Sequence, residues 1–308
     1  MRDINYVYGP VPSRRLGISL GISLIPKKVC NYSCIYCQLG RTDRMTNTRK
    51  LFYPVEEILD ELEQTIKNGV EFDVVTIVGE GEPTLYLGLG ELILGIRQKT
   101  DKPVAVITNG ALLYDEHLRK ELFGADIVLP TMDAYDQESF KVINRPHGSI
   151  TFKKIREGLR IFSNEYPGQL WIEIMLMDGI NDDEDSLQHY LEELKNLNYD
   201  RLYINTPIRP PAEFHVKASD FEKLKHAAEV LRGISIDLLV SEGFQSDHID
   251  DYEAILSIIK RHPMHQYEIA GFLKSRGNEN TEAILQRLRR TGTVEVVHYR
   301  GFDTYRLK

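Results

Sequence analysis

Three cysteines stand within eight positions of this 308-residue chain, and they are all the cysteines that it has. Cys30, Cys34 and Cys37 form the pattern C-x3-C-x2-C in the stretch KKVCNYSCIYCQLG. An odd number of clustered thiols argues against a disulfide framework and favours metal binding or catalysis. Structural zinc normally takes a fourth protein ligand, whereas an iron–sulfur cube held by three cysteines keeps one iron open. The number and spacing of the cysteines therefore predict an iron–sulfur centre. A zinc site and three unrelated core cysteines are the alternatives.

The elements that must position these thiols are repeated strand–helix units. Apolar, β-branched runs alternate with amphipathic stretches through most of the chain, which is typical of a parallel sheet covered by helices. The predicted strands are 17–25, 72–78, 103–108, 126–130, 170–176 and 201–205. The predicted helices are 54–68, 88–99, 115–122, 150–165, 184–196 and 219–231. Six units favour an α/β fold with a partial (β/α)6 TIM-like barrel over a doubly wound sheet, and in both ligands bind beyond the carboxyl ends of the strands.

The chain changes character after Glu242. Three short helices and a hairpin predict a small winged-helix domain over residues 243–308, which follows a core domain over residues 1–242. The third helix and the hairpin carry arginines that suit a nucleic-acid reader: Arg287, Arg289, Arg290, Arg300 and Arg306. However, residues 246–308 hold 10 Lys+Arg against 9 Asp+Glu, a feeble charge for binding phosphates. A protein-contact module is therefore the alternative interpretation.

Glycines and small polar groups follow several predicted strands. The stretch VGEGEPTL (78–85) combines glycines that permit close backbone approach with carboxylates that can accept from an ammonium group. The stretch ITNG (107–110) suits hydrogen bonds to a ribose or a carboxylate. Further candidates at the same mouth are Thr108, Asn109, Thr131, Asp133 and Met175. Plain turns and a core methionine are the alternative interpretations of these positions.

Basic residues flank the predicted sheet at both ends. Arg14 and Arg15 stand just before the first strand, where they either attract an anionic substrate or are simply solvated. Asn205 and Arg209 lie in a proline-rich loop after the sixth strand, which we expect to contact the substrate.

The cysteine spacing, with Tyr36 before the last cysteine, resembles the signature of the radical S-adenosylmethionine (SAM) superfamily. The resemblance implies that the three cysteines bind a [4Fe-4S] cluster whose open iron is chelated by the amino and carboxylate groups of SAM. It implies that one electron, from a flavodoxin-like or ferredoxin-like donor, cleaves SAM into methionine and a 5′-deoxyadenosyl radical. That radical would abstract hydrogen from the substrate, while the protein orients the reactants and excludes water.

The same resemblance gives roles to residues outside the cysteine motif. GEGEP matches a GGEP-like motif that binds the amino group of SAM, with Gly81, Glu82 and Pro83 in register and Glu80 in place of the first glycine. Arg145 would pair with the SAM carboxylate, and an adenine ring would pack near Met175.

The stretch from PSRRLGISLGI to TNG is similar to the branch of wyosine-forming tRNA enzymes, but this chain has no cysteines for their second cluster.

Three functions are consistent with these patterns. The chain is an enzyme acting on RNA, with tRNA as the leading substrate, an enzyme acting on a peptide or small molecule, or an iron–sulfur transcriptional sensor. A net charge of −8 gives no global attraction for a polyanion. The N-terminus has no apolar signal region and no apolar run approaches the ~20 residues of a membrane helix, so we expect a cytoplasmic protein without membrane contact.

Overall fold

The computed structural model describes residues 5–236, 244, 246, 250–278 and 280–308. In these residues the chain forms a large α/β unit, followed by a small unit of three helices and a three-stranded sheet. The predicted boundary between residues 242 and 243 lies outside the described residues. Within the described part, the helices are too short or too polar to cross a bilayer.

The large unit is built on a mostly parallel sheet. Its strands, with two short strands of the cysteine loop, are β1 (Val7–Ser13), β2 (Gly17–Ile22), β3 (Val29–Cys30), β4 (Arg44–Met45), β5 (Val74–Ile77), β6 (Val104–Thr108), β7 (Ile127–Pro130), β8 (Gln169–Met175), β9 (Arg201–Asn205) and β10 (Ile234–Ser235). The order across the sheet is β1-β2-β5-β6-β7-β8-β9-β10, and β3 pairs with β4 outside it. All neighbours in the sheet are parallel except β1, which runs antiparallel to β2. This arrangement is consistent with a partial TIM-like barrel.

Seven helices cover this sheet in the described residues. They are α1 (Val55–Lys67), α2 (Leu89–Lys99), α3 (Glu116–Leu122), α4 (Gln137–Ile143), α5 (Phe152–Glu165), α6 (Glu184–Leu194) and α7 (Phe221–Leu231). Six of them, and all six predicted strands, are confirmed with ends shifted by a few residues. The sequence reading missed α4, which has only two turns and buries only Phe140 and Ile143. It begins at a capping box formed by Asp136 and Ser139, which is the signal that could have revealed it.

Strand β5 shows why this sheet lies inside the large unit. All four of its residues are buried, as expected for a strand covered on both faces. Helix α1 buries Val55, Ile58 and Leu62 against the sheet and places Glu56 and Glu57 outside. The helical period of these apolar residues thus fixes which face of α1 packs on the core.

The small unit contains the three helices and the hairpin expected near the C-terminus. They are α8 (Asp251–Ile259), β11 (Met264–His265), α9 (Gln266–Ser275), α10 (Thr281–Arg290), β12 (Val294–Tyr299) and β13 (Phe302–Leu307). The hairpin turns at Arg300 and Gly301, whose φ angles of 51° and 82° are those of a type I′ turn. Ile255, Leu273, Leu288 and Tyr305 belong to its own hydrophobic core.

A buried arginine holds the small unit against the large one. Arg209, in the loop after β9, donates from two nitrogens to the Glu268 carboxylate at 3.1 Å each. The same guanidinium bonds to the Pro263 carbonyl and to the His262 ring. We expected Arg209 to contact the substrate. In the structure, the same side chain forms a contact between the two units.

The hairpin also packs on the large unit. The Tyr299 hydroxyl donates to the Pro207 carbonyl at 2.8 Å and accepts from the Ala218 backbone N–H at 3.1 Å. Arg306 donates to the Pro210 carbonyl at 3.4 Å. The hairpin of the small unit therefore packs on the loop after β9, at the carboxyl end of the sheet.

We expect Arg209→Gln to lower the free energy of unfolding by about 3 kcal/mol, because it leaves the partly buried Glu268 carboxylate without its cation. Arg97→Gln is the matched control. It removes an exposed ion pair with Asp126 and should cost less than about 1 kcal/mol. Urea unfolding of the cluster-free chain measures both losses, and equal losses would contradict the docking role of Arg209.

Candidate functional site

The three cysteines lie on the loop that follows β2, at the carboxyl end of the sheet. Cys30 ends β3, and the Cys37 backbone N–H donates to the Cys34 carbonyl at 3.2 Å. All three thiols line one cleft of about 640 Å³. Its lining also includes Arg261, His262 and Glu268 of the small unit, so the cleft lies between the two units.

The state of the thiols matches a metal-ligating role better than a nucleophilic one. Burial is the main cause that raises the pKa of Cys30, Cys34 and Cys37, so the free thiols are neutral at pH 7. Reactive cysteines have a lowered pKa, so these thiols are poor free nucleophiles. A cationic inorganic centre would supply the charge that stabilises the thiolates.

The donor set around the sulfurs fits a [4Fe-4S] cluster. Among the described residues, no three His, Cys, Asp or Glu side chains are grouped closely enough to hold a single metal ion. The Cys30 sulfur accepts from the Tyr32 backbone N–H at 3.4 Å and from the Asn109 amide at 3.7 Å. The Cys34 sulfur accepts from the Asn144 amide at 3.5 Å. Such donors to the sulfurs set the reduction potential of iron–sulfur clusters.

Glu82 forms the support behind this loop. Its carboxylate is 2% exposed and accepts from the Thr84 N–H at 3.0 Å, the Thr84 hydroxyl at 2.6 Å, the Thr108 hydroxyl at 2.5 Å and the Asn109 N–H at 2.8 Å. Burial raises the pKa of Glu82, and these hydrogen bonds oppose the rise. Within the described residues, Glu82, Pro83 and Thr108 do not belong to the cleft lining. They join the loops after β5 and β6 and so fix the position of Asn109.

The strap of residues 79–81 lies between Glu82 and the cysteine loop. The Lys28 N–H donates to the Glu80 carbonyl, and the Glu82 N–H donates to the Val29 carbonyl at 3.1 Å. A Cβ atom at Gly81 would stand 1.9 Å from the Val29 carbonyl oxygen, so only glycine fits there. Gly79, Glu80 and Gly81 line the cleft with the cysteines, and the two glycines present only backbone atoms there.

Asp133 supports the other side of the cysteine loop. Its buried carboxylate accepts from the Tyr36 hydroxyl, from the Asn144 amide at 3.0 Å and from the Met175 N–H at 3.1 Å. Burial is the largest cause that raises its pKa, and the hydrogen bonds lower it. Asp133 therefore connects Tyr36 with the end of α4 and with β8.

The structure divides the residues predicted to bind SAM into two groups. Tyr36, Gly81 and Met175 line the cleft together with the cysteines. Asn109, Thr131 and Asp133 line a smaller neighbouring cavity of about 40 Å³. Outside these two groups, Glu82, Pro83 and Thr108 lie behind the cleft wall and Arg145 lies beside Glu213, and the contact of these four residues with SAM stays a prediction.

Arg145 has a partner that the sequence did not suggest. It forms an ion pair with Glu213, in the loop after β9, and it is not one of the described residues that line the cleft.

Sequence reasoning missed one carboxylate in the cleft wall and gave another only a secondary place. The missed one is Glu173, on β8, which is buried and pairs with Arg15; its signal was a lone charge inside an apolar strand. Glu80, which replaces the first glycine of the motif, was only a secondary candidate. Its carboxylate lies 3.6 Å from Nε of Arg261, a residue of the small unit that no motif marked.

The family model described as the radical SAM superfamily matches residues 24–191. The chain belongs to the radical SAM superfamily. The predicted superfamily is thus confirmed, and the site described above is the cysteine loop of a radical SAM protein.

Relatives of this radical SAM chain cover most of its length. It is 36% identical over 304 residues to a UPF0026 protein of Methanocaldococcus jannaschii, covering 96% of this chain and 93% of the relative. It is 40% identical over 235 residues to a protein named GTPase Obg of Brachyspira hyodysenteriae, where the match covers 75% of this chain but 35% of that relative. The chain thus spans about a third of the second relative.

Solved structures share the fold. TYW1 with a bound lysine–pyruvate adduct superposes with a TM-score of 0.51 at 20% identity, over 69% of this chain and 72% of that one. At this identity the likeness concerns the fold alone, and it agrees with the predicted radical SAM architecture.

We expect Gly81→Ala to displace the strap from the cysteine loop, because the added Cβ meets the Val29 carbonyl. The variant should lose most of the iron that the parent binds after anaerobic loading. Gly148→Ala is the control, since nothing lies within 4 Å of its Cβ position. Parent-like iron content in Gly81→Ala would contradict the role of the strap.

Asn144→Ala should lower the reduction potential of the loaded cluster, since the lost N–H···S bond stabilises the reduced, more negative state. A potentiometric titration followed by electron paramagnetic resonance measures the shift, with the exposed Asn164→Ala as the control. An unchanged or higher potential in Asn144→Ala would show that this amide does not tune the cluster.

Proposed function

We propose that this chain is an enzyme that cleaves SAM reductively and abstracts a hydrogen atom from a substrate enclosed in the cleft. The observation that carries the proposal is the position of Cys30, Cys34 and Cys37 together on one wall of that cleft, beside the glycine strap. When bound, a [4Fe-4S] cluster with SAM supplies the electron and the 5′-deoxyadenosyl radical.

The residues of the chain bind and orient in this proposal. The strap at Gly81 lets the backbone approach the amino group of SAM, and Glu82 holds that strap from behind. Tyr36, fixed by Asp133, and Met175 supply surfaces for the adenosine part. The small unit excludes water from the reacting atoms.

The charges of the cleft favour a substrate with an anionic group. Among the residues that the structure describes, five cationic side chains line the cleft, namely Arg14, Arg15, Lys28, Arg209 and Arg261. They outnumber three carboxylates, which are Glu80, Glu173 and Glu268. This excess stands out in a chain whose net charge is −8. A small molecule or a peptide side chain fits such an enclosed, cationic space.

The small unit has the element order of a winged helix, and we propose that it acts as a wall of the cleft rather than as a nucleic-acid reader. Two arginines of its third helix are engaged within the unit: Arg287 stacks 3.6 Å from the centre of the Tyr252 ring, and Arg289 bonds to Tyr305 and Asp303 at 2.9 Å each. The hairpin that would contact a nucleic acid packs on the barrel loops instead through Tyr299.

The reaction class is tested by anaerobic loading with iron and sulfide, reduction with dithionite in the presence of SAM, and quantification of 5′-deoxyadenosine. We expect 5′-deoxyadenosine from the parent and at least a hundredfold less from Cys34→Ala. A parent that binds iron and SAM without forming 5′-deoxyadenosine would overturn the enzyme proposal and favour the sensor hypothesis.

A separate experiment distinguishes the substrate classes. Fluorescence anisotropy with bulk tRNA on the full chain should show only weak binding, and Arg287→Gln with Arg289→Gln should leave it unchanged. Tight binding that falls steeply with salt and is lost in these variants would favour the RNA hypothesis.

A further inference from the structure

The loop after β9 carries a phenylalanine that the fold leaves in solvent. Phe214 is 97% exposed, the highest value among the large exposed apolar side chains of the described residues. Glu213, directly before it, is 5% exposed, and Val216, two residues after it, is 1% exposed, while His215 between them is also exposed. The loop is therefore anchored on both sides of Phe214, and this side chain projects from a fixed backbone.

This loop lies directly on the cysteine loop. The Glu213 N–H donates to the Ile35 carbonyl at 3.0 Å, and Ile35 stands between Cys34 and Cys37. Ile35 and Val216 also belong to one buried apolar cluster. Phe214 is thus separated from the sulfur ligands by a few backbone steps of about 3.8 Å each.

Arginines lie beside Phe214 at the surface. Arg41 donates from Nε and Nη2 to the two Glu213 oxygens at 2.8 Å each, and Arg145 pairs with the same carboxylate. The hydrogen bond from Arg41 is the first of the causes that lower the pKa of Glu213 to about 2. Two guanidinium groups on one carboxylate leave a positive charge at the surface, where the Arg41 side chain is 70% exposed.

The cationic surface continues along the strand that covers the cysteine loop. Arg44 and Met45 are exposed on β4, and β4 pairs with β3, which ends at Cys30. Asp43 is an exposed acid in this segment. We define the Phe214 surface as Phe214, Arg41, Arg44, Met45 and Arg145.

We propose that the Phe214 surface docks a small acidic one-electron carrier protein that reduces the cluster. This inference rests on the proposed function, because the cleavage of SAM consumes one electron. In the docked step, the reduced carrier loses one electron and the cluster gains it, with no bond formed or broken. The inner face of the cysteine loop lies in a cleft partly covered by the small unit, so a protein donor approaches from the outer face.

The composition of the surface suits such a partner. Transient redox interfaces are small, and charge complementarity steers the encounter of their partners. An apolar centre with cations around it matches an acidic carrier that presents its cofactor through an apolar patch. The chain as a whole has a net charge of −8 and would repel the same carrier elsewhere, so the surface also sets the orientation.

The test uses the full chain with a purified acidic flavodoxin and a purified acidic ferredoxin as probes. Phe214→Ser and Arg44→Glu change the surface. The matched controls are Leu94→Ser, an exposed apolar residue on α2, and Lys153→Glu, an exposed lysine on α5. Calorimetry on the cluster-free chain measures binding of each oxidised carrier. Quenched-flow assays on the loaded chain measure 5′-deoxyadenosine driven by the reduced carrier or by dithionite.

We expect at least one carrier to bind the parent, with an affinity that falls as salt rises. Phe214→Ser and Arg44→Glu should weaken that binding at least tenfold and slow carrier-driven turnover at least tenfold. With dithionite, their turnover should stay within twofold of the parent, and both controls should behave as the parent in every assay.

Several outcomes would overturn the docking proposal. These are no binding of either carrier to the parent, surface variants that bind and turn over like the controls, or variants that lose tRNA binding while they keep carrier-driven turnover. The last result would make the surface an RNA site. Failure of the proposed function is a different result, because the parent then forms no 5′-deoxyadenosine even with dithionite.

Discussion

The buried carboxylate of Glu82 is the interaction on which the site depends. Four hydrogen bonds from two loops converge on its two oxygens, and no cation neutralises it among those bonds. These donors stabilise the ionised carboxylate against its burial, so the interaction depends on Thr84, Thr108 and Asn109 staying in place. Through Asn109 it reaches the Cys30 sulfur, and through the glycine strap it reaches the backbone before Cys30.

This arrangement gives the Glu82 carboxylate of the GEP motif a supporting position that the sequence does not reveal. From the sequence alone, the carboxylate of GEP is a candidate ligand for an ammonium group. In the structure, the backbone of the strap faces the cleft and the Glu82 side chain points into the wall behind it. Asp133 plays the same part on the other side of the cysteine loop, where its buried carboxylate accepts a hydrogen bond from Tyr36. The chain thus supports its cysteine loop with two buried carboxylates.

The parts of the site that the sequence predicted are local ones. The cysteine spacing lies within one loop, and each strand of the sheet is a short apolar run, so both can be recognised from neighbouring residues. The partner of Arg145 is 68 residues away along the chain, and Glu268 is 59 residues from Arg209. Such pairs depend on how the loops meet in the folded chain. For the same reason, the helices and hairpin of the small unit were predictable, whereas its position over the cleft was not.

Mössbauer spectroscopy on the chain loaded anaerobically with ⁵⁷Fe, combined with iron and sulfide analysis, tests directly whether the three cysteines hold a cluster with an open iron. We expect about four irons per chain and a spectrum in which one iron site changes when SAM is added. A single metal ion per chain, or a cluster whose spectrum is the same with and without SAM, would contradict a three-cysteine cluster with an open iron.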